Sequence, residues 1–147
     1  MFELYTEKAR RVVFYARYEA SIFGSAHIET EHLLLGLLRE SKALVTRMVR
    51  AGASVESIRG QIEAQVIRGK PFSTSVDLPL SKQSNHVLVF ASEEADRFGH
   101  KYIGTEHLLL GLLREEKSMA ATLLDEYGIE LQAMRKEMEN GPKQRNQ

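Results

Sequence analysis

The stretch Thr30-Glu31-His32-Leu33-Leu34-Leu35-Gly36-Leu37-Leu38-Arg39-Glu40 returns without a substitution as Thr105-Glu106-His107-Leu108-Leu109-Leu110-Gly111-Leu112-Leu113-Arg114-Glu115. An identical run of this length, displaced by 75 positions, marks the chain as two tandem units. Outside the run the correspondence continues: Thr6 with Ser81, Val12 with Val87, Ala16 with Ala91, Glu19 with Glu94, Ala20 with Ala95, Phe23 with Phe98, Gly24 with Gly99 and Ile28 with Ile103. Helix cap, apolar stripe and stop signal therefore recur together.

Each unit reads as four helices. Thr6 caps the first, which runs to Phe23 with Val12, Val13, Ala16, Ala20 and Phe23 at helical spacing and ends at Gly24. Ser81 caps its counterpart, since a hydroxyl can accept a bond from an orphan N–H of the first turn. In the duplicated run Thr30 and Thr105 read as N-caps, Glu31 and Glu106 as the first helical residues, and Leu33, Leu34, Leu37 and Leu38 as the buried side. Gly36 and Gly111 lie inside this helix, where glycine costs about 1 kcal/mol relative to alanine, so the pattern predicts a close helix crossing there. Third helices are expected at 43–50 and 118–126, stopped by Gly52 and Gly128; that spacing is 76, so the second unit has gained a residue. Fourth helices are expected at 54–68, with Val55, Ile58, Ile62, Val66 and Ile67 apolar, and at 130–139. The domain organisation is 1–68 for the first unit, 69–80 for a Pro- and Ser-containing connector, 81–139 for the second unit, and 140–147 for a polar tail or tether, all in one compact domain.

Composition removes several function classes. Hydrophobic residues at 43% and charged residues at 27% are ordinary for a folded domain, and no apolar run approaches the ~20 residues that span a bilayer. Twenty basic against twenty acidic residues leave no basic field for nucleic acid. With no cysteine and no signal-peptide pattern at the start, a cytoplasmic protein is expected. No phosphate-binding loop, zinc-protease helix or nucleophile elbow occurs, so the chain reads as a non-enzyme without cofactor. His32 and His107 have no second histidine at ligand spacing on their helices, so they read as structural residues and no metal site is expected. Glu31 and Glu106 have a purely structural role available, because an acid in the first helical turn meets the positive end of the helix dipole.

Two copies of Gly-x-x-x-Ile-x-Thr-Glu-His-Leu-Leu-Leu-Gly-Leu, at 24–37 and 99–112, after the opening Met-Phe-Glu-Leu-Tyr-Thr-Glu-Lys, resemble the Clp repeat domain, most of all the N-terminal domain of ClpC-type AAA+ unfoldases. The resemblance covers nearly the whole chain. It implies an all-α fold, a pseudo-twofold eight-helix bundle of two four-helix repeats, which docks adaptors and substrates for an ATP-driven ring partnered with a peptidase. It also implies recognition of phosphoarginine, with Glu31 and Glu106 taking the guanidinium and the helix starts taking the phosphate through Thr6, Lys8 and Arg10 in one unit and Ser81, Lys82 and Asn85 in the other. Relatives often carry a lysine where this chain has Asn85, which favours the first unit as the working site. Phe2, Leu4, Leu78 and Leu80 precede the first helix of each unit, either as hydrophobic staples or as the lining of a partner groove. The leading expectation is a protein-binding module, monomeric in isolation, with an AAA+ Clp ring, adaptors and substrate proteins as partners. A free-standing accessory subunit that regulates assembly of the peptidase or its ring is the alternative, which a complete chain of 147 residues would favour and a tether after Glu139 would not.

Overall fold

A computed structural model describes residues 2–141. Helix α1 spans Glu7–Phe23, α2 Thr30–Met48, α3 Ile58–Gln65 after a 3₁₀ turn at Val55–Ser57, α4 Lys82–Arg97, α5 Thr105–Arg114, α6 Met119–Glu126 and α7 Leu131–Asn140. The expected tail at 140–147 lies outside the described residues beyond Gly141. Among the described residues the fold is all-α, with seven α-helices rather than eight. The difference sits at Ser41, whose φ of −138° and ψ of 52° kink α2 without ending it, so the expected second and third helices of the first unit are one bent element. In the second unit the same region breaks cleanly, because Ser118 caps α6 by accepting from Ala121 N–H at 3.1 Å, a bond that Ala43 at the matching place cannot make.

Helix α1 begins and ends as its sequence predicts. Thr6 Oγ1 accepts from Ala9 N–H at 3.1 Å, Ser81 Oγ accepts from Ser84 N–H at 3.1 Å, and Gly24 closes α1 with a φ of 66°. The starts of α2 and α5 differ from expectation, since Glu29 and Gly104 are the N-caps and Thr30 and Thr105 are already helical. Thr30 is thereby free to bond elsewhere, and its Oγ1 accepts from Ala120 N–H of the other unit at 3.4 Å. The fourth helix of the first unit also stops early. Val66 is extended, and Ile67, expected in the apolar set, is fully exposed at 101%. Downstream of it Gly69 N–H donates to Phe23 O at 2.8 Å, so the chain has already turned back towards the end of α1.

Helices α2 and α5 contact each other and are flanked by α1 and α4. A helix enclosed on several sides needs apolar residues around most of its circumference. Leu33, Leu34, Leu35 and Leu37 are buried, as are Leu108, Leu109, Leu110 and Leu112, while Leu38 packs on the core only in part. The predicted close crossings are present in both units. A Cβ on Gly36 would lie 2.3 Å from Val12 O, and one on Gly111 would lie 2.4 Å from Val87 O. Ala16 and Ala91, both fully buried, keep the facing surfaces equally thin.

A buried ion pair ties each unit together, a feature to which the helical pattern alone assigns no role. Glu19, with 0% exposure, accepts from Arg39 of α2 at 3.2 Å and Arg59 of α3 at 2.5 Å. Glu94, likewise 0% exposed, accepts from Arg114 of α5 at 3.0 Å and from both Nε and Nη2 of Arg135 of α7, at 3.0 and 2.7 Å. Burial opposes the charge on Glu94, but the bonds and charges of Arg135, Arg97 and Arg114 outweigh it and hold its carboxyl below the usual carboxylate range.

Because the atoms that meet Gly36 are backbone and cannot turn aside, Gly36→Ala should destabilise the domain by about 2–3 kcal/mol despite alanine's better helix propensity. Gly60, with nothing within 4 Å of an added Cβ, is the control: Gly60→Ala should stabilise by about 0.5–1 kcal/mol. Urea denaturation midpoints read both, and equal shifts of the same sign would refute the close-crossing assignment.

Candidate ligand site at the exchanged helix starts

The segments that lead into the helices are exchanged between the units. Tyr5 forms a parallel bridge with Ile103, and Leu80 forms the equivalent bridge with Ile28. Thr6 N–H donates to Ile103 O at 2.9 Å and Ile103 N–H to Leu4 O at 2.8 Å; Ser81 N–H donates to Ile28 O at 3.0 Å and Ile28 N–H to Pro79 O at 2.9 Å. Residues 5 and 80, and residues 28 and 103, are repeat equivalents, so the two bridges express the twofold relation of the units.

This exchange regroups the residues singled out in the sequence. The start of α1, with Thr6 and Arg10, adjoins the start of α5 and its Glu106; the start of α4, with Ser81 and Asn85, adjoins the start of α2 and its Glu31. Around Gly104 the juxtaposition is tight, since a Cβ there would lie 2.9 Å from Glu106 Oε1 and 3.8 Å from Thr6 Cγ2. A grouping of Glu31 with Thr6, Lys8 and Arg10 inside the first unit is therefore not what the backbone builds. Arg10 donates through Nε and Nη2 to Tyr5 O at 3.3 and 3.1 Å, and its equivalent Asn85 donates through Nδ2 to Leu80 O at 3.4 Å and Ser81 O at 3.3 Å. Both side chains fold back over their own helix start, but only one brings a cation.

The two glutamates are half-buried. Burial pushes the Glu31 carboxyl above its ordinary range, partly offset by the hydrogen bond of its own backbone; the charge of Glu29 adds to the rise and the Thr30 side chain opposes it. Glu106 Oε1 accepts from Thr105 Oγ1 at 3.3 Å. Lys8 and Lys82 are exposed, and Lys82 lines a cavity of about 430 Å³ with His86, Arg114 and Lys117. Of the four flanking apolar residues, Phe2, Leu78 and Leu80 pack partly on the core, Phe2 meeting the Tyr5 ring edge-on at 4.9 Å, whereas Leu4 is 53% exposed.

His32 and His107 are structural in a defined way. Each is the third helical residue, and its Nδ1 accepts the N–H of the cap residue: Glu29 N–H at 2.9 Å and Gly104 N–H at 2.8 Å. The imidazole takes the place of the Glu or Gln of a capping box. With Nδ1 accepting, Nε2 of His107 carries the proton and donates to His100 Nδ1 at 2.9 Å. Burial lowers both imidazoles to about 4. Among the described residues no group of three or more His, Asp or Glu is placed to hold a metal ion, and no helix is long and apolar enough to cross a membrane.

Two duplicated helical units joined at exchanged helix starts define an all-α tandem-repeat domain. The Clp repeat (R) N-terminal domain family matches residues 4–127 and again 79–145, starts that are 75 positions apart. Among curated proteins, the chain is 36% identical over 139 residues to the negative regulator of genetic competence ClpC/MecB of Bacillus subtilis, covering 94% of this chain and 17% of that protein. It is 39% identical over 131 residues to the chloroplastic chaperone protein ClpC of Pisum sativum, covering 88% of this chain and 14% of that protein. Among solved structures, the N-terminal domain of the chaperone ClpD from Arabidopsis thaliana aligns with a TM-score of 0.72 at 26% identity over 92% of this chain and 95% of that one. The Hsp104 N-terminal domain from Candida albicans aligns with a TM-score of 0.75 at 18% identity, over 96% and 95%, a likeness of fold. The chain belongs to the Clp N-terminal repeat family, homologous to the N-terminal domains of ClpC, and spans 14–17% of the length of these curated relatives.

The histidine caps carry a pH dependence. A histidine held neutral in the fold takes up a proton on unfolding between its folded and unfolded values, so its contribution is complete above about 6.5 and is lost as pH falls towards 4. At pH 5 the loss should be about 2 kcal/mol per histidine. Gln can accept the same cap N–H without titrating, so His32→Gln with His107→Gln should flatten the fall in denaturation free energy between pH 7 and 5; a variant as acid-sensitive as wild type would contradict the cap assignment.

Proposed function

We propose that this chain is a protein-binding module of a Clp chaperone system, which docks adaptors and marked substrates for delivery to an AAA+ unfoldase ring and acts by selection without chemistry of its own. Its ligand is phosphoarginine, held at two composite sites that each draw residues from both repeats. The observation that supports this most is the apposition of a half-buried carboxylate on one helix start with a hydroxyl-capped helix start of the other unit, Glu106 with Thr6 and Glu31 with Ser81. A carboxylate receives a guanidinium in a bidentate pair, while backbone N–H groups and the positive end of a helix dipole receive a phosphate. Phosphoarginine carries its phosphoryl group directly on a guanidinium nitrogen, which matches a site with both receptors side by side. An incoming guanidinium would also relieve the unfavourable burial of the Glu31 charge.

The composite arrangement sets a rank order. The site with Thr6 and Glu106 includes Arg10, and the site with Ser81 and Glu31 has the neutral Asn85 there, so the former holds the doubly charged phosphate better. Family membership supports Clp-system partners, and on this reading they are a Clp ring, its adaptors and its substrates, with a cytoplasmic monomer as the working form of the isolated chain. A zero formal charge disfavours nucleic acid as ligand.

Calorimetric titration with phosphoarginine, arginine and phosphoserine tests the proposal. Phosphoarginine alone should bind well, and Glu31→Ala with Glu106→Ala together should abolish binding with little change in melting temperature. In double-mutant cycles Arg10→Ala should couple to Glu106→Ala and be additive with Glu31→Ala, because groups that share a ligand are non-additive and groups at separate sites add within about 0.3–0.5 kcal/mol. Equal affinity for the three ligands would sink phosphoarginine specificity, and coupling of Arg10 to Glu31 would sink the composite sites.

A further inference from the structure

The two buried ion-pair networks offer an internal comparison, because duplication gives each unit the same glutamate and the same two arginines. In the second unit these arginines are the more fully paired. Arg135 engages both oxygens of Glu94, and Arg114 donates to Glu94 at 3.0 Å and to a second carboxylate, Glu93, at 2.7 Å; their side chains are 16% and 23% exposed. The exposed Arg97 adds a third cation at 3.5 Å. In the first unit Tyr18 stands where the second has Glu93, and Arg39 and Arg59 converge on a single oxygen, Glu19 Oε2, each through one nitrogen. Glu19 Oε1 is buried with no hydrogen-bond partner, so this network is also a bond short. Arg39 and Arg59 remain 44% and 40% exposed, which leaves most of the five N–H donors of each guanidinium open to another acceptor.

Those donors border a cavity of about 210 Å³ between α2 and α3. Its floor is apolar: Leu35 and Val55 are buried and Leu38 is half-buried. The rim carries three cations, Arg39, Arg59 and Lys42, and one carboxylate, Glu56, which is paired with Lys42, so the two arginines leave it net positive. Arg39 is further steadied over the rings of Tyr15 and Tyr18, each 5.1 Å away, contacts that orient the guanidinium without neutralising it. An apolar floor with two under-used guanidinia at its edge suits a ligand that carries an aliphatic group and a carboxylate on adjoining atoms, and a peptide's last residue joins the two on one carbon.

We propose that the cavity between α2 and α3 of the first repeat binds the C-terminal aliphatic residue of a partner polypeptide, with its side chain on Leu35, Leu38 and Val55 and its α-carboxylate on Arg39 and Arg59. The second repeat's network, where Glu93 supplies an extra carboxylate and Arg135 takes both oxygens of Glu94, is the more fully paired counterpart. The binding is charge-assisted and directional, since a planar guanidinium and a carboxylate pair through parallel N–H bonds. None of these residues belongs to the phosphoarginine sites, so either proposal can fail without the other.

The test uses three acetylated tetrapeptides: one ending in leucine with a free carboxylate, its C-terminal amide, and an amidated peptide with an internal glutamate beside leucine. Binding is followed through the arginine Nε–H resonances of the ¹⁵N-labelled protein. The free-acid peptide should bind saturably and shift Arg39 and Arg59, while the amide and the internal-glutamate peptide bind at least about tenfold more weakly. Tyr18→Glu, which grafts the second unit's extra carboxylate beside Arg39, should weaken the free-acid peptide by about tenfold with the fold retained on thermal melting. Lys42→Ala, which leaves the Glu56 carboxylate uncompensated at the rim, supplies a second variant and should weaken binding severalfold. Equal binding of acid and amide, no binding of either, an internal-glutamate peptide as strong as the free acid, or both variants binding as wild type would each overturn the proposal.

Discussion

The domain depends on the closeness with which α1 crosses α2 and α4 crosses α5. At Gly36 and Gly111 the facing backbone stands where a Cβ would be, so the paired helices are in main-chain contact. Such contact has no flexible side chain to absorb error, and interiors packed at crystal-like density transmit any misfit. The crossing puts the leucines of α2 and α5 in the centre of the molecule and the small residues Ala16 and Ala91 against them. It also brings Glu19 and Glu94 within reach of their arginines, because a carboxylate side chain is too short to bridge helices held further apart. Breaking one partner of such a pair leaves an uncompensated buried charge, so the networks enforce the crossing as well as exploit it.

On that framework the exchanged helix starts are a small addition with large consequences. Four backbone hydrogen bonds join Leu4–Thr6 to Ile103 and Pro79–Ser81 to Ile28, and they determine which cap faces which glutamate. Each candidate site thus belongs to neither repeat alone. Duplication followed by divergence can alter one side of a site while leaving the other untouched, as Arg10 and Asn85 illustrate. The same divergence separates Tyr18 from Glu93 and leaves one buried network a bond short while giving the other an extra carboxylate.

Much of the site chemistry was legible at the level of residues and little of it at the level of assembly. Thr6 and Ser81 cap as their types dictate, and His32 and His107 are structural, as the lack of ligand spacing implied. The cap role of the imidazoles was harder to see, because a histidine at the third helical position is an unusual substitute for Glu or Gln. The misplacement of the caps by one residue followed from it: Thr30 and Thr105 have the right chemistry, but the histidine bond lets the helix begin a residue earlier. The buried Glu19 and Glu94 did leave a signal, since each occupies a repeated position on a helix face lined by alanines, and Arg39 and Arg114 repeat with them.

The amino-acid sequence by itself determined the duplication, the all-α class, the close crossings at the repeated glycines and the capping of α1 and α4. These follow from local rules, helical periodicity, cap chemistry and the cost of glycine inside a helix, that operate within a few residues of chain. Only the tertiary structure decided that the start of α5, with Glu106, adjoins that of α1, with Thr6, that the start of α2, with Glu31, adjoins that of α4, with Ser81, that α2 bends at Ser41 and continues, and that Ile67 leaves the core. The reason is physical: backbone bridges between segments 98 and 52 residues apart depend on how two units pack, and no local preference of either segment records its partner.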